Sequence, residues 1–159
     1  MAKINYYQTA SLQFAKSFCL LAEKCYYSKL NTLVLTPEIA DLRDMDRVLW
    51  TYSQKHFIPH ATFEDSFADQ QPVYFTTKIE NPNKAEVIIF VLPDRNMILS
   101  AFSNENDFNI NMFQKILFLF DETSSVSYSQ LCDIINTSRL KDLEIEGFNQ
   151  DEKGAWKKL

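Results

Sequence analysis

Apolar residues recur along this chain with two different periods. Lys3 to Thr9 is rich in Ile and Tyr and predicts an opening strand. From Ser11 to Lys29 the period changes. Leu12, Ala15, Phe18, Cys19, Ala22, Cys25 and Tyr26 recur at three- and four-residue steps, with Gln13, Lys16, Glu23 and Lys24 on the other face. That spacing predicts an amphipathic helix. Asn31 marks a turn, and Thr32-Leu33-Val34-Leu35 reads as a short buried strand. Thr36-Pro37-Glu38 then predicts a helix start. Threonine can cap, proline has no donor to waste in the first turn, and an acidic side chain suits the positive end of the helix dipole. Ile39, Leu42, Met45 and Leu49 carry that helix to about Trp50. Strand, helix, strand, helix in this order predicts a βαβ unit and a parallel sheet.

Tyr52 to Gln71 reads as a loop containing Pro59, followed by strands at Val73 to Thr77 and Val87 to Leu92 with Asn81-Pro82-Asn83 as the turn between them. The second strand is apolar at every position, as expected of a central strand covered on both faces by helices. Met97 to Phe102 and Lys115 to Phe120 are further strand-like segments; Phe113 to Phe120 is compatible with a helix as well. Ser127-Tyr128-Ser129-Gln130 fits a capping box, opening a helix through Leu131, Ile134 and Ile135. Its predicted end is near Gly147, where glycine takes a left-handed cap. The pattern predicts a single three-layer α/β domain over residues 1–148 and a polar tail over 149–159.

Composition narrows the function classes. A chain of 159 residues fits one buried core, and 46% hydrophobic with 23% charged residues is ordinary for a soluble globular protein. Thirteen Phe, seven Tyr and two Trp exceed what so small a core needs, so some are expected to face partners. The net charge of -5, without a long basic run, argues against direct duplex binding, which requires clustered Lys and Arg. Nucleic acid is expected to be reached only through another protein. Residues Met1 to Asn5 lack the apolar stretch of a signal peptide. No apolar run approaches the roughly 18 residues of a membrane span. Cys19, Cys25 and Cys132 are odd in number and widely spaced, which suits reduced thiols in a cytoplasm. Cys19 and Cys25 lie in the helical apolar pattern and read as small buried hydrophobes.

The same residues argue against catalysis and cofactors. A phosphate cradle after the first strand needs glycine for the turn and for close backbone approach. The two glycines are Gly147 and Gly154, far from the first junction, Gln8-Thr9-Ala10-Ser11, which carries no GxGxxG and no Walker-type lysine. His56 and His60 are four apart, but Pro59 between them disfavours a shared helix face, and no HExxH arrangement exists. They read as two loop histidines, one packing or capping. No GxSxG elbow presents a serine and no cysteine stands in a catalytic context. Glu64, Asp65 and Asp69 need no explanation beyond solvation. No catalytic, cofactor or metal-binding residue is assigned.

Three stretches carry a resemblance to the chi subunit family of bacterial DNA polymerase III. Leu49-Trp50 followed by Phe57-Ile58-Pro59-His60 resembles the family's LW…F(V/I)PH segment. Gln71-Pro72-Val73 opens an apolar strand series running through Leu99-Ser100, and Arg139-Leu140-Lys141, Gly147-Phe148-Asn149 and Trp156-Lys157 close the chain. The resemblance implies a Rossmann-like domain that binds no nucleotide and has no activity of its own. It implies a partner, the psi subunit, which tethers the protein to the clamp loader as a heterodimer. A second implied partner is the acidic C-terminal tail of the single-stranded-DNA-binding protein, and in some bacteria an accessory helicase is a third. Trp50, Phe57 and Ile58 are the implied psi or helicase docking residues. Arg139, Lys141, Lys153 and Lys157, with Lys158 beside them, are the cations expected to hold the acidic tail, with Leu140 and Phe148 as an apolar lining. Where the family often has further basic residues, this chain has Asp133, Thr137 and Glu144.

Overall fold

A computed structural model describes residues 3–52, 57–103, 107–138 and 143–159. Its elements are β1 (Lys3–Gln8), α1 (Phe14–Tyr27), β2 (Thr32–Leu35), α2 (Ile39–Thr51), β3 (His60–Thr62), β4 (Val73–Thr76), β5 (Val87–Val91), α3 (Arg95–Ala101), β6 (Lys115–Phe120), α4 (Tyr128–Thr137), β7 (Glu144–Gln150) and β8 (Trp156–Lys158). One eight-stranded sheet runs in the order β3-β4-β2-β5-β6-β1-β7-β8. Every pair is parallel except β7 with β8.

Alternation along the strands divides the core into two. Val87, Ile89 and Val91 of β5 pack with Phe18, Cys19 and Ala22 of α1 and Leu42, Met45 and Leu49 of α2. Ile88 and Phe90 join Met97, Ile98 and Ala101 of α3 and Leu131, Ile134 and Ile135 of α4. Both faces of the sheet are therefore covered, and each fully buried side chain of this size contributes about 1.5–3 kcal/mol. The result is the three-layer Rossmann-like α/β domain that the pattern predicts.

Five local expectations are corrected. Thr36 does not cap α2: its N–H donates to Thr76 O at 3.2 Å, so sheet pairing claims it and the helix begins at Ile39. The loop expected from Tyr52 to Gln71 contains β3, an edge strand set against β4 with His60 beside Val73 and Thr62 beside Phe75. Three residues are too few to show a period. Met97 to Phe102 is not a strand but most of α3. Asp94 caps that helix by accepting from Met97 N at 2.8 Å, and Leu99 and Ser100 lie exposed between the buried Ile98 and Ala101. A short apolar run cannot be told from a buried strand by periodicity.

The capping box opens α4 as expected, with Ser127 Oγ accepting from Gln130 N and Gln130 Oε1 accepting from Ser127 N. The helix, however, ends at Thr137, and Gly147 lies inside β7 beside Tyr6 of β1. Glycine is needed there for space: a Cβ would sit 2.7 Å from Cε2 of Tyr128. Finally, the residues after 148 are not a free tail. Asp151 Oδ1 accepts from Lys153 N and Ala155 N, Gly154 takes φ +89°, and β8 returns against β7 with Trp156 beside Gln150.

Candidate functional site

At the β3 edge, the end of α2 and the following segment build an aromatic patch. Leu49 turns into the core, which leaves its neighbour Trp50 outward and 53% exposed. Ile58 is 1% exposed and Phe57, one residue earlier, is 55% exposed. Their burial fixes the direction of their neighbours. The Trp50 and Phe57 rings lie 5.1 Å apart between centroids. Beneath them is the buried His60 ring, 4.5 Å from Trp50 and edge-on to Phe75 at 5.7 Å.

His60 is held on both sides. Its Nδ1 lies 2.7 Å from Ile58 O, and a carbonyl can only accept, so Nδ1 carries a proton. Nε2 is 3.1 Å from Asp46 Oδ1 yet out of line for a hydrogen bond. This contact is an ion pair only when the ring carries both protons. The exposed pair thus rests on a fixed imidazole rather than on a mobile loop, the preorganisation that makes an aromatic pair a good interface anchor.

At the other end of the sheet, α1 and the β7–β8 hairpin enclose a cavity of about 440 Å³, lined by Tyr7, Leu20, Leu21, Lys16, Lys24, Lys153 and Trp156 among others. The hairpin is tied to α1 there. Ser17 Oγ donates to Gln150 Oε1 at 3.5 Å, and Gln150 Nε2 donates to Gly154 O at 3.2 Å. Tyr7 stacks on Phe148 at 5.5 Å and meets the Trp156 ring edge-on at 5.4 Å, which holds the half-exposed indole in place. The two surfaces lie toward opposite edges of the sheet, so at the usual strand spacing they are about 30 Å apart.

The structure brings Trp50 and Phe57 together, but Ile58 is corrected: it is interior and supports the patch instead of presenting itself to a partner. Lys153 lines the α1–hairpin cavity, and Lys157 is exposed on β8 beside Asn149. Arg139, Leu140 and Lys141, like His56, lie outside the described residues. Asp133 and Thr137 are exposed on α4 and Glu144 on β7. Sequence reasoning assigned Lys16 and Lys24 only to a solvated helix face. Nothing in the pattern announces the hairpin that brings Lys153 and Trp156 to them.

Among the described residues, no group of three His, Cys, Asp or Glu is placed to hold a metal ion, and no helix is long and apolar enough to cross a membrane. Cys19 and Cys25 are buried in the α1–α2 core. Burial, with the nearby Glu23 carboxylate adding to it, pushes the Cys19 thiol up to about 12, which keeps it protonated and unreactive at neutral pH.

Comparison with known proteins agrees with the resemblance. A family model described as DNA polymerase III chi subunit, HolC, matches residues 1–130. A curated protein of Rickettsia prowazekii (strain Madrid E), "Probable DNA polymerase III subunit chi", is 32% identical over 160 residues, spanning 100% of this chain and 93% of that protein. The family match ends within α4, whereas the alignment with this relative continues through the β7–β8 hairpin.

Proposed function

The chain belongs to the DNA polymerase III chi subunit family, and from that premise we propose that it is a non-catalytic adaptor of the clamp-loader complex. On this reading it binds the psi subunit through Trp50 and Phe57, and it holds the acidic C-terminal tail of the single-stranded-DNA-binding protein through lysines near its C-terminus. It works in the cytoplasm, as a monomer that becomes a heterodimer with psi, and it meets DNA only through its partners. No cofactor takes part.

The observation that carries the proposal is the exposed Trp50–Phe57 pair seated on the buried His60. Large aromatics held rigid at a surface are the residues that dominate interface energies. The remoteness of the α1–hairpin cavity supports the adaptor role, because two partners about 30 Å apart across the sheet need not exclude one another.

Light scattering on mixtures of this chain, psi and the single-stranded-DNA-binding protein tests the reading. A ternary complex whose assembly needs this chain is the expected result. Failure of psi to bind, with an accessory helicase engaging Trp50 and Phe57 instead, would reassign the aromatic patch to the helicase. Saturable thermal stabilisation by a nucleotide would count against the adaptor reading altogether.

A further inference from the structure

Parallel strands are usually joined through a helix, as β1 is to β2 by α1. The connection from β4 to β5, residues 77–86, carries none. Between this irregular stretch and the segment that leads into β6 lies a cavity of about 570 Å³. Its apolar lining includes the buried Ala85 and Phe108, the half-buried Ile79 and the exposed Met112. Three carboxylates, Glu80, Glu86 and Asp107, stand around it against one ammonium, Lys84. Among the described residues, no ion pair reaches any of these four groups.

Two of the carboxylates are fixed by neutral donors and not by cations. Glu80 Oε1 accepts from Thr76 Oγ1 at 2.8 Å and from the Tyr74 hydroxyl at 3.2 Å. Burial, with Glu80 adding to it, pushes that hydroxyl up to about 12, so it remains a donor at neutral pH. Glu86 Oε2 accepts from Gln114 Nε2 at 3.3 Å. The walls are held as well. Asn81 Oδ1 accepts from Ala85 N at 2.8 Å, and Asn81 Nδ2 donates to Met112 Sδ at 3.1 Å, tying one wall to the other. The groove therefore presents a preorganised negative rim around an apolar lining.

We propose that this groove docks a basic segment of a partner protein, with lysine or arginine side chains on Glu80, Glu86 and Asp107 and a bulky aliphatic side chain against Ile79, Phe108 and Met112. Charge complementarity sets the class of guest. Three carboxylates repel acidic peptides and nucleic acid alike. Among the described residues, no group of three His, Cys, Asp or Glu is placed to hold a metal ion, so the cation is organic. The apolar lining favours a peptide, whose branched side chains can fill it, over an unbranched polyamine. The inference does not rest on the partners proposed above. Ala85 and Phe108 belong to the α3–α4 side of the core, whereas Ile58, which supports the Trp50–Phe57 patch, belongs to the α1–α2 side.

The probe is a fluorescein-labelled, amidated pentapeptide, Arg-Leu-Arg-Leu-Arg, read by anisotropy at low salt and located by amide chemical shifts of the isotope-labelled chain. Saturable binding at one site is expected, with shifts concentrated in residues 79–86 and 107–112. Glu80→Gln, Glu86→Gln and Asp107→Asn keep the side-chain shape and the acceptor oxygens. Each should weaken binding about threefold to tenfold at unchanged melting temperature, and Lys84→Ala, which removes the one repelling charge, should tighten it. Peptides with glutamine for arginine or serine for leucine should bind at least tenfold more weakly. No binding to the wild-type chain, or binding indifferent to the three substitutions, overturns the site. A serine peptide that binds as well as the leucine peptide reduces the contact to non-specific ion pairing and overturns the proposal's apolar half. Displacement of the peptide by an equal concentration of spermidine overturns the choice of a protein segment as the guest.

Discussion

Replacing Gly147 by alanine tests the assignment of residues 144–150 to a strand packed beneath α4. The added methyl would lie 2.7, 2.9 and 3.0 Å from Cε2, Cζ and Cδ2 of Tyr128. Ordinary carbon contacts are about 3.5–4.0 Å, so the ring must retreat by nearly 1 Å. Its room is limited, because Tyr128 packs on the buried Tyr6 ring with centroids 5.0 Å apart. Overpacking of this kind costs about 1–3 kcal/mol, against about 0.4–1 kcal/mol gained by stiffening the unfolded chain. The expected net loss is about 1–2 kcal/mol, read as a lower urea midpoint at unchanged slope. Tyr128→Leu removes the obstructing ring edge, so Gly147→Ala should be nearly neutral in that background, a coupling on the order of 1 kcal/mol. If alanine is neutral in the wild-type background, or equally harmful in both, Gly147 is not there for space. A helix-ending glycine, as the sequence first suggests, would show no coupling to Tyr128.

Neighbouring residues of the aromatic patch should separate cleanly. Ile58→Ala opens a void in the α1–α2 core and should destabilise by about 2–5 kcal/mol, whereas Phe57→Ala should lose less than about 1 kcal/mol, both by chemical denaturation. Equal losses would place Phe57 in the core. Alkaline pH offers a second test. Burial pushes the Cys19 thiol, ordinarily near 9.0, and the Tyr74 hydroxyl, ordinarily near 10.0, up to about 12, with Glu80 adding to the effect at Tyr74. The unfolded chain releases these protons first, so stability is intact below pH 9 and falls as pH rises from 9 to 12. The slope approaches about 1.4 kcal/mol per pH unit for each group. Denaturation curves on either side of pH 9 that superimpose would refute these environments.

The central architecture was legible because burial on two faces leaves a strong mark. The all-apolar Val87 to Val91 and the three-four spacing of α1 admit one reading each. What failed were elements defined by tertiary contact. β3 has three residues and is a strand only because β4 pairs with it. β7 shows no clean alternation: Gly147 is buried under Tyr128, and Ile145 and Phe148 are partly covered on opposite faces. β8 is wholly exposed, so hydrophobic pattern cannot find it. The two candidate surfaces follow the same division. Trp50 and Phe57 are close in sequence and were read together. Lys16, Lys24, Lys153 and Trp156 meet only because the chain returns to α1 after 130 residues or so of folding, a closure that no local pattern encodes.

The most direct test of the adaptor claim is the affinity of this chain for psi, measured on an immobilised psi surface with wild type and a Trp50→Ala/Phe57→Ala variant whose melting temperature is checked alongside. The account predicts a saturable complex for the wild type. It predicts a loss of at least 2 kcal/mol, about thirtyfold, for the variant, with little change in melting. A variant that binds psi as tightly as the wild type would contradict the claim that these two rings are the anchor.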